Sequence, residues 1–302
     1  MSGNIESLRH RIDSAGDLEG VVRAMKALAA SSIGQYQKAV EALDDYYRTV
    51  ELGLSVCLRQ ASAATPAPDR KPKVGQPIGV LVFGSDQGLV GRFNDVVADL
   101  AVNTVKALPG KVQKIWAIGE RVHSLLLDAG IAPVGLLAVP VSIHAITPLV
   151  GQILIELGAA REKGEVVDVY VFHNRPKSAA VYAPVSRRLL PLDDSWQSKL
   201  TSTPWPSQRP NQKAIPEIIG DASLTLKSFV RGYLFVSLFQ SCAESLNSEN
   251  ASRLAAMQRA EKNIKNIVED LNQKFHRVRQ ASIDEELFDV VSGFEALSAK
   301  GK

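Results

Sequence analysis

Two cysteines in 302 residues, Cys57 and Cys242, and no C-x-x-C exclude a disulfide framework and a thiolate metal site. Both thiols read as reduced core residues rather than a redox pair. The five histidines (His10, His123, His144, His173 and His276) fall on different elements without ligand spacing, so no metal is expected. No Gly-x-Ser-x-Gly and no Cys/His arrangement offers a nucleophile. A net charge of +3 is too small to point to nucleic acid by itself. The opening MSGNIESLRHRI has no apolar signal core, so no export signal is expected. Long apolar runs are scarce too. The 27 uncharged residues from Ala129 to Ile155 are cut by Pro133, Pro140 and Pro148 into pieces shorter than the roughly 20 residues of a membrane span. A buried strand, a loop and the start of a core-facing helix are expected there, and no span.

What remains is the composition of a folded soluble protein, with 45% hydrophobic and 22% charged residues. From Ile5 the apolar residues step by three or four through Leu8, Ile12 and Ala15, break across Asp17-Leu18-Glu19-Gly20, and resume through Val22, Met25, Ala29, Ile33, Tyr36, Val40, Leu43, Tyr47, Val50 and Leu54. That period predicts one helix to about residue 60, followed by the proline-bearing linker ATPAPDRKPK at 64–73. The period then changes. Ile78 to Phe83 is a continuous apolar run, as in a strand covered on both faces. Asn94 is placed to cap a helix running to Leu108. Lys114 to Ile118, Val166 to Phe172 and Tyr182 to Leu190 read as strands, and Glu120 to Asp128 and Thr147 to Lys163 as helices. Such alternation predicts a small α/β layer structure at 74–192. Residues 193–220, with four prolines, read as an irregular connection.

From about Asp221 the helical period returns and no proline follows. At 1.5 Å per residue this helix would measure about 110 Å and the N-terminal one about 85 Å, against a diameter of about 50 Å for a compact protein of this size. Residues 1–63 and 221–302 are therefore expected to pair as one discontinuous shaft. The fold class is α/β plus α: a long antiparallel coiled coil of N- and C-terminal helices with an inserted small Rossmann-like α/β domain.

The loop after the first strand, GSDQGLVGRFN at 84–94, has the look of a phosphate cradle. It lacks the lysine and hydroxyl of a P-loop, and Asp86 stands where a dinucleotide fingerprint needs glycine. A carboxylate at a helix N-terminus would repel phosphate. A tight structural turn is expected, with no nucleotide and no cofactor. Around Arg259 to Arg279 six Lys or Arg face three Asp or Glu. Either a basic patch or a solvated face accounts for them, and the pairs Glu261–Lys265 and Asp270–Lys274 favour the second.

SENASRLAAMQRAEKNIKNIVEDLNQKFHRVRQASIDEELFDVVSGFEAL, residues 248 to 297, resembles the C-terminal helix of the gamma subunits of F-type ATP synthases. AMKALAAS at 24–31 is similar to that family's N-terminal signature, and SDQGLVGRFN to its glycine-containing loop (Asp86, Gln87, Gly88, Gly91, Arg92). The resemblance implies a non-catalytic shaft inside a hexamer of alpha and beta subunits, with epsilon and a membrane rotor ring as further partners. It implies peripheral attachment at the cytoplasmic face of a bacterial membrane. It also implies contacts to beta from Arg23, Met25, Lys26, Arg279 and Gln280, Met25 being equally readable as core. Antiparallel pairing is expected to bring Arg23 near Arg279. Gln87, Val90 and Arg92 depart from the family's usual residues, as do Gly16 to Gly20 and the acidic Asp284-Glu285-Glu286. Those departures leave a proton- or a sodium-coupled form open.

Overall fold

The computed structural model describes residues 2–64, 75–108, 111–178, 181–203, 205–206 and 216–299. The expected linker at 64–73 lies outside them apart from Ala64. Contacts divide the chain into two units, one of residues 30–253 and one of residues 1–29 with 254–302.

The larger unit holds a five-stranded sheet. Its strands are β1 (Pro77–Phe83), β2 (Lys111–Ile118), β3 (Gly135–Leu137), β4 (Asp168–Ser178) and β5 (Val181–Leu190), in the order β3-β2-β1-β4-β5. β1 runs parallel to β2 and β4, β2 parallel to β3, and β4 antiparallel to β5. Parallel neighbours need crossovers, supplied here by helices α2 (Phe93–Ala107), α3 (Glu120–Asp128) and α4 (Ile143–Glu162). Side chains alternate across the sheet as a strand's period of two requires. Ile78, Val80 and Val82 pack with Val97, Ala101, Val122 and Leu126 of α2 and α3. Leu81 and Phe83 pack with Ile146, Val150 and Ile153 of α4, and with residues of the two long helices. By length and composition α4 would pass for a membrane span, but its buried face belongs to this core.

The long helices are α1 (Ser2–Ala64) and α6 (Ala222–Ala299), and each contributes to both units. Within the larger unit they run antiparallel. The rings of Tyr47 and Tyr233 lie 6.2 Å apart, and a Cβ on Gly53 would come within 2.2 Å of the Phe229 ring. That glycine is what lets the helices approach. Cys57 and Cys242 are buried and free, and burial pushes both thiols up from their ordinary range. The stretch 193–220, expected to be irregular, opens with a helix, α5 (Asp194–Ser202), capped by the Asp193 carboxylate, which accepts from Ser195 N at 2.7 Å.

In the smaller unit the two helix ends meet through one small cluster. Val22 is buried with Met257 and Ile264, flanked by Met25, Ala256, Ala260 and Val268.

Candidate functional site

The glycine-bearing loop is fastened by its own side chains. Asn94 Oδ1 accepts from Ser85 N at 2.9 Å, and Asn94 Nδ2 donates to Ser85 Oγ at 2.8 Å. Asn94 is therefore not the cap of α2. Arg92, exposed, holds the N-cap position with no side-chain bond, and Asn94 turns inward from the first turn. Asp86 lies elsewhere than the sequence suggests. Its carboxylate accepts from Glu120 N at 3.1 Å and Val139 N at 3.0 Å, at the N-terminus of α3 rather than of α2. Asp86 thus satisfies one backbone donor at the N-terminus of α3 and one at Val139 from within the chain. Gly119 (φ 115°) closes the gap between loop and helix, since a Cβ there would meet the Ser85 backbone at 2.7 Å. Leu89 and Gly91 take left-handed conformations at φ 62° and 57°. Gln87 and Gly88 are exposed.

Behind the loop, α6 presents a buried polar stripe. Ser237, Ser241, Glu244, Ser245, Ser248 and Ser252 recur at helical spacing and are all buried. Ser248 Oγ donates to Asn174 O at 3.1 Å, and Ser252 Oγ donates to Val90 O at 2.5 Å. Glu244 Oε2 lies 2.7 Å from His173 Nε2 and 2.9 Å from Arg175 Nε. Burial alone would raise the Glu244 carboxyl, but the hydrogen bonds from His173 and Arg175 hold it below its usual range. Burial dominates at His173 and keeps its imidazole pKa low despite the carboxylate. This stripe ties the sheet to α6. The apolar periodicity did not reveal it; the spacing of small hydroxyl residues from Ser237 to Ser252 is the signal that carries it.

The smaller unit offers the surface. Arg23 is exposed and pairs with Glu19 at 2.7 Å. Met25 packs against the cluster of Val22, Met257 and Ile264, so it faces the partner helix. Lys26 Nζ reaches Glu261 Oε2 at 2.5 Å, and Lys265 joins the same carboxylate at 3.7 Å. Asp270 and Lys274 form no such pair among the described residues. Arg279 and Gln280 are exposed. Arg23 is not their neighbour. Its charge acts on Glu261, eighteen residues before Arg279, or about 27 Å along a helix. The reason is the register that the Lys26–Glu261 pair records.

Farther along α6, every residue from 283 to 292 is exposed. Ile283, Leu287, Val290 and Val291 recur at helical spacing and form an apolar stripe, with Phe288 beside it at 72% exposure. Asp284, Glu285, Glu286 and Asp289 occupy the positions between. On α1, Leu18, Val21 and Leu28 are also exposed. Apolar stripes of this size are ordinarily covered.

The chain matches the family model described as ATP synthase over residues 4–297. It is 27% identical over 310 residues to the ATP synthase gamma chain of Cupriavidus pinatubonensis, covering 98% of this chain and 100% of that one. The gamma chain of Sinorhizobium fredii is 26% identical over 306 residues, with 97% and 99% covered. Among solved structures, a chain of the Euglena gracilis mitochondrial ATP synthase (OSCP/F1/c-ring, rotational state 3) superposes with a TM-score of 0.66 at 13% identity, covering 100% of this chain and 97% of that one. A chain of the Tetrahymena thermophila central stalk and c-ring gives 0.53 at 18% identity, covering 80% and 99%. At these identities the structural likenesses speak for the fold.

Proposed function

The chain belongs to the ATP synthase family, and from that membership we propose that it is the gamma chain: the central rotor shaft of an F-type ATP synthase. The observation that carries this reading is the apolar stripe Ile283-Leu287-Val290-Val291, which no part of the described chain covers. A sleeve of surrounding subunits would bury it. The hexamer of alpha and beta subunits supplies such a sleeve, while epsilon and the membrane ring take the α/β domain, so the chain is peripheral at the cytoplasmic face of a bacterial membrane. Rotation is driven by protons or sodium ions.

The shaft works by asymmetry. Two helices joined along one seam present different residues in different directions, so three identical sites around them meet different faces. Sites in different contact take different conformations, and turning the shaft exchanges those states. Each tenfold difference in nucleotide affinity needs about 1.4 kcal/mol of differential contact. A hydrogen bond to a charged group contributes about 1.5–3 kcal/mol, so a few contacts suffice. Arg23, Arg279 and Gln280 are exposed and suited to such contacts. Met25 and Lys26 face the partner helix and would act by fixing the seam.

Co-expression with alpha and beta subunits tests the reading. Leu287→Glu with Val291→Glu should leave the isolated chain as helical as the parent by circular dichroism, yet abolish coupled ATP synthesis in vesicles. Undiminished synthesis by the double variant would remove the sleeve from the account.

A further inference from the structure

Between the loop at 86–87, the segment 139–141 and the two long helices lies a cavity of about 230 Å³. Its polar wall is Ser32 and Tyr36 of α1 with Asp86, Gln87, Glu249, Asn250 and Arg253, the Glu249 charge acting on the Tyr36 phenol, and its apolar wall is Val139, Pro140 and Leu246. Val141, 94% exposed, stands at the mouth. Glu249 is the informative residue. Its side chain is 7% exposed, and one carboxylate oxygen accepts from Arg253 Nη2 at 2.6 Å. The other, Oε2, is buried with no hydrogen-bond partner among the described residues. The charges acting on Glu249 are Arg253 and Asp86, so two carboxylates stand against one guanidinium. Both Asp86 oxygens already accept backbone N–H groups.

A water needs only about 10–15 Å³ of such space and two to four polar partners, and the apolar wall gives it none. A flexible aliphatic stem suits that wall, with its charged head at the carboxylate. We propose that the cavity binds an alkylammonium group, whose N–H donors reach Glu249 Oε2 while its stem lies along Val139, Pro140 and Leu246. Asn250 Nδ2 donates to Leu246 O at 2.8 Å, which leaves the Asn250 carbonyl oxygen as a second acceptor. Arg253 Nε, also buried and without a hydrogen-bond partner among the described residues, takes a water in the remaining space. Burial, with the Asp86 charge adding and Arg253 opposing, pushes the Glu249 carboxyl up. A bound cation reverses that shift, so binding strengthens as pH rises.

The test is titration of the full chain with n-butylammonium, followed by calorimetry. Saturable binding is expected, stronger at higher pH than at lower pH and at least tenfold weaker in Glu249→Gln. n-Butanol, which has the stem without the charge, should not bind. Gln87→Lys, which puts an ammonium at the mouth, should abolish binding of the added amine while circular dichroism stays that of the parent. Equal behaviour of the parent and Glu249→Gln, or no saturation, would mean that the cavity holds only water. In the assembled enzyme the source of the group separates. Exclusion of the amine, with carbodiimide joining Glu249 to a neighbouring chain's lysine, identifies a side chain; retained binding identifies a free small amine.

Discussion

Lys26 Nζ and Glu261 Oε2, 235 positions apart in sequence, lie 2.5 Å from each other. The lysine's hydrogen bond holds the Glu261 carboxyl below its usual range. The pair is one-third exposed at the lysine, so it fixes register more than it adds stability. Lys26→Glu should lower the thermal midpoint of the chain by placing two carboxylates together. Adding Glu261→Lys should restore most of the loss, and no recovery in this cycle would detach the pair from the register.

Glycine substitutions should have opposite signs in two places on α1. Gly16 and Gly20 lie inside the helix with nothing within 4 Å of an added Cβ. Alanine at either should stabilise by about 0.4–1 kcal/mol through the unfolded chain and helix propensity. Gly53→Ala, driven into the Phe229 ring, should destabilise by about 1–3 kcal/mol. Urea midpoints of the three variants decide it.

Asp86 answers the question raised by the glycine loop. Because its carboxylate fills the donors at Glu120 N and Val139 N, titration with ATP and Mg²⁺ should show no saturable binding below millimolar. Asp86→Ala should weaken the fold instead of opening a nucleotide site. A micromolar dissociation constant in the parent chain would refute this.

Acid should loosen the bond between sheet and α6 in two stages. His173 faces Glu244 on α6, Arg175 on its own strand and Arg187 on β5, and its folded pKa is depressed, chiefly by burial. The unfolded chain therefore binds the proton first, and stability falls as pH drops below about 6.5. Glu244, also depressed, contributes stability that is present above about 4.3 and is lost below it. The urea midpoint should decline through both windows, and His173→Gln should flatten the upper one. An unchanged slope there would mean His173 is not the group titrating.

Much of this was legible in the sequence because period is a direct consequence of burial. The run Ile78 to Phe83 is apolar throughout because one set packs on α2 and α3 and the other on α4 and the long helices. Helix α3 falls at Glu120–Asp128 as its pattern predicts. What stayed hidden depends on distant partners. Asn94 looks like a cap until Ser85 takes its amide, and Asp86 looks like a repellent charge until α3 arrives beneath it. The serines of α6 look solvated until strand β4 and the loop close over them. Helix α5 was concealed because the prolines of the 193–220 stretch begin only after it, at Pro204. For the surface residues Arg279 and Gln280, the chain itself shows only exposure.

Direct observation of rotation tests the central proposal. Gly88 is exposed with open space around it, and both native thiols are buried, so Gly88→Cys offers a single reactive site for a probe. With the alpha–beta hexamer fixed to a surface, added ATP should turn the probe in one direction, pausing at three positions per revolution, one for each beta subunit. Arg279→Ala should keep the helix folded, since alanine is the better helix former, and slow that turning. A probe that stays still while the same hexamer hydrolyses ATP would contradict the assignment of this chain as the shaft.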